Sequence, residues 1–180
     1  LRPRRPFVAR TRPAFFSRSG LSPAERGTAL HTFMQFADYP RAAADPQAEI
    51  QRLVQSRFLT PEQAASLPLP KIRRFFAGGL YARMAASPFC RREEPFTIGL
   101  PASRFADAPG AADELVIVQG IADCVFEEEG GLVLVDYKTD RASNGEELAA
   151  RYADQLRIYA FALAQTLERP VKSCLLYAFS

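Results

Sequence analysis

The chain has 180 residues, 48% of them hydrophobic, and a net charge of +3, enough for one domain with a substantial core. No stretch approaches the roughly 18 to 20 apolar residues of a membrane span, and the basic N-terminus lacks the apolar run of a signal peptide. A charge this close to balance does not establish a nucleic-acid partner, so the distribution of charge has to be read instead.

Residues 1 to about 20 are rich in Pro and Arg and read as a linker or extended arm. They carry Arg2, Arg4, Arg5, Arg10, Arg12 and Arg18 and no acid. The chain begins with Leu rather than Met and reads as a fragment of a longer protein. The first helix follows in "LSPAERGTALHTFMQFADYP". Ser22 is placed to cap it, Pro23 is at the first position, and Glu25 completes a capping box. The spacing predicts a helix to about Tyr39, stopped by Pro40, with Leu30, Phe33, Met34 and Ala37 as its apolar stripe.

Three more helices are expected over 46–59, 61–67 and 70–86, forming an insert between the first helix and a sheet. The third is weakened by Gly78 and Gly79. A second basic run, Lys71, Arg73, Arg74, Arg83, Arg91 and Arg92, lies at 71–92 without an acid. Such clusters neutralise phosphates, or simply face solvent. Strands are expected over 93–100, 114–128 and 131–138, a long helix over about 145–168 capped by Ser143 or Asn144, and a last strand over 171–179. Cys90, Cys124 and Cys174 make no CxxC pair and no zinc or iron–sulfur spacing. Cys124 and Cys174 read as small buried hydrophobes, and a reducing, intracellular compartment fits them.

The stretch "GIADCVFEEEGGLVLVDYKTD" (120–140) is an apolar hairpin that nonetheless carries Asp123, Asp136 and Lys138. A two-residue turn at Glu129-Gly130 sets Asp123 opposite Asp136. A turn at Gly130-Gly131 sets it opposite Lys138. Either even-length loop places all three on one face, because strand side chains alternate; a three-residue loop does not. Carboxylates this close repel unless a cation lies between them, and Mg²⁺ is held by one or two carboxylates with water and substrate phosphate. The ammonium of Lys138 could orient or deprotonate a water, or offset charge on the phosphorus in the transition state. The bland reading is an Asp–Lys pair at an exposed strand end. His31, the sole histidine, is on the first helix and is either a core residue or a third metal ligand. Gln155 and Tyr159 share a face of the late helix, while Tyr152, Leu156, Ala160 and Leu163 read as core.

Taken in order, "RGTALHTFMQ", "REEPF", "GIAD", "VDYKTD" and "YADQLRIYA" resemble the RecB-type branch of the PD-(D/E)XK nuclease superfamily. The opening "LSPAERGTALHTFMQF" is most similar to the C-terminal nuclease domain of AddA proteins in bacterial AddAB helicase–nucleases. The resemblance runs from about residue 21 to the end, making 21–180 one nuclease domain. It implies an α/β fold with a restriction-endonuclease-like αβββαβ core, a mixed sheet flanked by helices, with the helical insert after the first helix. It implies that His31, Asp123, Asp136 and the Tyr137 carbonyl hold Mg²⁺, for which Mn²⁺ can substitute. Asp123, Asp136 and Lys138 are then catalytic, and Gln155 and Tyr159 hold DNA and the site. Glu93 matches a strand acid of unassigned role. Three scattered cysteines argue against the four-cysteine iron–sulfur cluster of the related AddB protein, so none is expected here. The implied activity is hydrolysis of single-stranded DNA by an exonuclease in double-strand-break repair and recombination. Its implied partners are DNA, an upstream helicase of the same chain and an AddB-like protein in a bacterial cytoplasm, with no membrane. The alternative is a non-catalytic DNA-binding or docking module of the same fold.

Overall fold

A computed structural model describes residues 20–102, 114–139 and 144–179; the Pro/Arg-rich arm lies outside them, except for Gly20. The order is α1 (Pro23–Phe36), α2 (Tyr39–Ala44), α3 (Pro46–Gln55), α4 (Pro61–Ser66), α5 (Leu69–Phe76), α6 (Gly79–Ala86), β1 (Cys90–Pro101), β2 (Leu115–Glu128), β3 (Gly131–Lys138), α7 (Gly145–Thr166) and β4 (Val171–Ala178). The four strands lie side by side in that order. β1/β2 and β2/β3 are antiparallel, and β3/β4 is parallel through the α7 crossover. No described helix is long and apolar enough to cross a membrane.

The unbroken apolar run in β3 has a simple cause. β3 is buried on both faces. Val133, Val135 and Tyr137 join Cys124 and Phe126 against α1 and the helical insert. Leu134 joins Phe96, Ala122, Ala162 and Leu163 on the side of α7. The sheet is therefore the middle of three layers. Leu30, Phe33, Met34 and Ala37 are all buried, as their spacing requires. Cys124 is fully buried, but Cys174 is only half-buried, against the smaller cluster.

The helical region departs from the expected elements at three points, one of them being that the helix expected over 46–59 ends at Gln55. α1 has the capping box at Ser22 and Glu25 but ends at Phe36, not Tyr39. Ala37 and Asp38 are extended, and Asp38 caps a separate short helix in which Pro40 lies in the first turn. Pro is well suited there because its missing N–H has no intrahelical partner to lose. The buried carboxylate of Glu49 secures the corner. It accepts the Asp38 N–H at 2.7 Å and pairs with Arg52, which also donates to the Phe36 carbonyl at 3.2 Å. The expected 70–86 helix is two helices. Gly78 is extended (φ −91°, ψ 163°) at the N-terminus of α6, and a Cβ there would lie 3.1 Å from the Arg74 carbonyl oxygen. The break lets Phe75, Phe76 and Tyr81 turn into one aromatic cluster with Tyr39.

Much of the second basic run belongs to this packing. Lys71 donates to the Phe179 carbonyl, Arg83 pairs with Glu128, and Arg91 pairs with Glu94. Arg92 donates to the Met34 and Ala37 carbonyls and stacks on Tyr39. Arg73 and Arg74 stay exposed.

Candidate metal centre

The β2–β3 turn is Glu129-Gly130, with both residues at positive φ (48° and 75°), the geometry that matches strand twist in a two-residue hairpin. Of the two registers open in the sequence, this selects the one that points Asp123 toward Asp136. The ladder, however, ends one step short, at Cys124↔Val135. Beyond that pair β2 continues with β1 to Leu115↔Pro101, while β3 continues with β4 to Lys138↔Ala178. The sheet forks, and Asp123 is in the fork. Its Oδ2 accepts the Tyr137 N–H at 2.6 Å, so a carboxylate takes a backbone donor that an unbroken ladder would have used.

The fork also interrupts the alternation on which a shared face depends. Cys124 packs with the α1 side and Ala122 with the α7 side, although they are two residues apart. Period-two reasoning is valid along β3 but does not run through Asp123. Glu93, which would face Asp123 on β1, is skipped in the β1–β2 pairing and has a φ of 52°. For a glutamate this is an uncommon, strained conformation.

Helix α1 delivers His31 to the same point. Gly27 is one turn earlier on the same face, and a Cβ on it would lie 3.2 Å from Thr139 Oγ1, just past the end of β3. The glycine lets helix and strand end approach, and the four-residue step to His31 then aims the imidazole at the fork. His31 Nδ1 is 3.3 Å from Asp123 Oδ1. One ligand atom from each of His31, Glu93 and Asp123 falls within 4.8 Å of the others, a spacing that could hold a metal ion. Glu93, unassigned from its sequence position, thus stands among the candidate ligands.

Asp136 adjoins these three without being one of them. It is 4% exposed, and its Oδ2 is buried without a hydrogen-bond partner. The Lys138 ammonium is 2.8 Å from that oxygen, close enough for an ion pair but off the line of a well-directed hydrogen bond. Lys138 is in turn 4.0 Å from the centroid of the Tyr152 ring, a cation–π contact that fixes the ammonium. Tyr152, expected in the core, therefore borders the candidate site. The signal was available, since Tyr152, Gln155 and Tyr159 make a polar-tipped stripe on the helix that follows Asp136 and Lys138. Gln155 is half-buried, and Tyr159 packs edge-on against Phe96 at 4.9 Å. Tyr137 enters through its N–H. Its buried ring packs beneath His31, and its hydroxyl is 3.3 Å from that of Tyr39.

The electrostatics suit a bound cation. The His31 pKa is raised, chiefly by its hydrogen bond to Asp123 and against the opposing cost of burial. Burial raises the carboxyl of Asp136, opposed by Lys138. Burial also raises Glu93, with the Asp123 charge adding to it. Crowded carboxylates that hold protons more tightly are what a divalent ion would relieve. One imidazole nitrogen with carboxylate oxygens is a donor set for a divalent ion.

Among known proteins, residues 6–179 match the family model of the PD-(D/E)XK nuclease superfamily. The chain is 37% identical over 174 residues to an ATP-dependent helicase/nuclease of Desulforamulus reducens, namely its A-type chain, covering 94% of this chain and 14% of that protein. It is 41% identical over 182 residues to the corresponding ATP-dependent helicase/nuclease chain of Bacillus cereus strain AH820, covering 94% and 15%. The chain thus spans about one seventh of the length of these relatives. A solved structure, SSO0001, aligns with 84% of this chain and 61% of its own at 16% identity and a TM-score of 0.37.

Proposed function

The chain belongs to the PD-(D/E)XK nuclease superfamily, and from that premise we propose that it is a Mg²⁺-dependent deoxyribonuclease acting on single-stranded DNA. The observation that carries the reading is the convergence of His31, Glu93 and Asp123 beside the buried carboxylate of Asp136, which is paired with Lys138. ATP-dependent helicase/nucleases are the similar proteins. The proposed setting is therefore a longer helicase–nuclease chain with an AddB-like partner, in bacterial cytoplasmic double-strand-break repair and recombination.

In this reading His31, Asp123, Asp136 and the Tyr137 carbonyl hold the ion, with Glu93 next to them. The ion supplies Lewis acidity, polarising the phosphoryl group and making water a better nucleophile. Asp123 is held in place by the Tyr137 N–H and so is preorganised for its role. Lys138, steadied by Asp136 and the Tyr152 ring, donates a hydrogen bond to the attacking water or to a nonbridging phosphate oxygen. His31 serves as a ligand only when a ring nitrogen is unprotonated. Gln155 and Tyr159 support the DNA side of the site from α7.

The test is cleavage of an end-labelled single-stranded oligonucleotide, together with Mn²⁺ titration by calorimetry. The parent should cut with Mg²⁺ and bind Mn²⁺. Asp136→Ala should lose both, and Lys138→Ala should lose cleavage while keeping Mn²⁺. Undiminished cleavage by either variant overturns the assignment. DNA binding without cleavage or metal uptake by the parent would instead identify a non-catalytic module.

A further inference from the structure

Beside the metal centre lies an open cleft of about 1070 Å³, with Arg26, Gly27, Thr28, His31, Thr139 and Arg151 in its lining. It exceeds the roughly 300–1,000 Å³ of a small-molecule pocket and is open, a form suited to a chain passing through. His31 belongs to both the cleft and the metal cluster, so whatever occupies the cleft leads to the ion. Among the described residues, the lining holds two guanidinium groups and no carboxylate.

The two arginines come from different helices, Arg26 from α1 and Arg151 from α7. Arg26 is exposed, and its Nη1 donates to the Leu21 carbonyl at 2.7 Å. That bond anchors one end of the guanidinium over the first turn of α1 and leaves a planar group with several donors. Arg151 pairs with Glu147 one turn earlier on its own helix at 2.8 Å, with both side chains 43% exposed. An exposed pair of this kind is worth little, and a guanidinium with five N–H donors can keep such a contact while also engaging a phosphate. Thr28 is not a donor to such a ligand, because its hydroxyl donates to the Ala24 carbonyl.

We propose that Arg26 and Arg151 form a phosphate-binding subsite that grips the backbone of the DNA strand next to the scissile bond. This deepens the nuclease reading and rests on it for the identity of the ligand. The two residues bind and position, and they take no part in the chemistry at the ion. Guanidiniums are suited to the task because their rigid forks match phosphate oxygens and contact the backbone without reading base sequence.

The probe is a fluorescein-labelled oligothymidylate, with binding measured by anisotropy in EDTA across a salt series. Each phosphate contact on a single strand contributes about 0.7 to the slope of log K against log salt. The double variant Arg26→Ala/Arg151→Ala should therefore lose about 1.4 in slope and bind at least roughly tenfold more weakly at low salt. Arg26→Lys/Arg151→Lys should keep the slope and recover part of the affinity. If the double variant melts below the parent, Arg151→Ala alone should lose about 0.7. An unchanged slope overturns the proposal.

The second arm compares turnover of the oligomer with that of thymidine 5′-(p-nitrophenyl phosphate), which has one phosphodiester and no flanking phosphate. The double variant should raise KM for the oligomer and leave the small ester unchanged. An equal fall on both overturns the proposal, because the arginines would then serve the metal centre or the fold. A parent inactive on both substrates sinks the nuclease reading, while the salt slope in EDTA still decides the fate of the arginines.

Discussion

The two ends of the β2–β3 hairpin treat charge in opposite ways. At the turn, each of three successive acids has a basic partner: Glu127 with Arg169, Glu128 with Arg83 and Lys172, and Glu129 with Lys172. Arg83 above all, helped by Lys172, holds the carboxyl of Glu128 down at about 2. At the fork, some seven residues along the same strands by rough count, Asp123 and Glu93 crowd one imidazole, and burial raises Asp136. One end is arranged to hold the hairpin together. The other gathers three carboxylates about one imidazole and one ammonium, as sites commonly do at the expense of stability.

The largest contrast is expected in catalysis. Asp123→Ala or Asp136→Ala should lower Mg²⁺-dependent cleavage by roughly a thousandfold, whereas Glu128→Ala at the turn should leave it unchanged. A fall on Glu128→Ala equal to that on Asp136→Ala would erase the distinction between the two ends.

Next in size is the pH dependence at the fork. Metal competes with the proton on His31, so Mn²⁺ affinity should fall by about tenfold per pH unit below its raised pKa. Calorimetry of the parent and His31→Gln checks this, with the variant weaker and flatter. Stability without metal should run the other way. A raised histidine pKa means that the folded state binds the proton more tightly than the unfolded chain. The stabilisation is complete below the unfolded value near 6.5 and is lost as pH rises through the folded value. The parent's melting advantage over His31→Gln should therefore shrink on going from acid to mildly alkaline buffer. Glu128 should behave oppositely: its lowered pKa gives stability above the usual glutamate range that is lost as pH falls toward about 2.

A smaller effect is expected from neutralising the buried charge. Asp136→Asn should raise the melting temperature of the metal-free chain by about 2–4 °C, corresponding to about 1 kcal/mol, while abolishing stabilisation by Mn²⁺. A fall in melting temperature would mean that the Lys138 pair outweighs burial. The smallest effect belongs to the turn, where Glu129→Asn suits the positive φ of 48°. It should raise the melting temperature by about 1–3 °C at equal activity; a decrease would give the Lys172–Glu129 pair the larger share.

The sequence by itself determined the coarse order of helix, helical insert, three strands, helix and strand, the apolar stripe of α1, the apolar hairpin and the candidate residues His31, Asp123, Asp136 and Lys138. These follow from periodicities and caps acting within a few residues, and from residue types that an apolar hairpin has no other reason to hold. The corner at Ala37–Asp38 was not legible, because it depends on Glu49 and Arg52 reaching back from α3. Nor was the fork. A strand pattern predicts pairing but not where two strands part, which is decided by β1 and β4 pulling β2 and β3 in different directions. Only there do Glu93 and Tyr152 come into the candidate site, one through an irregular φ and the other through a lysine on a neighbouring strand. Local chemistry marked the candidate groups, and long-range packing decided which of them meet.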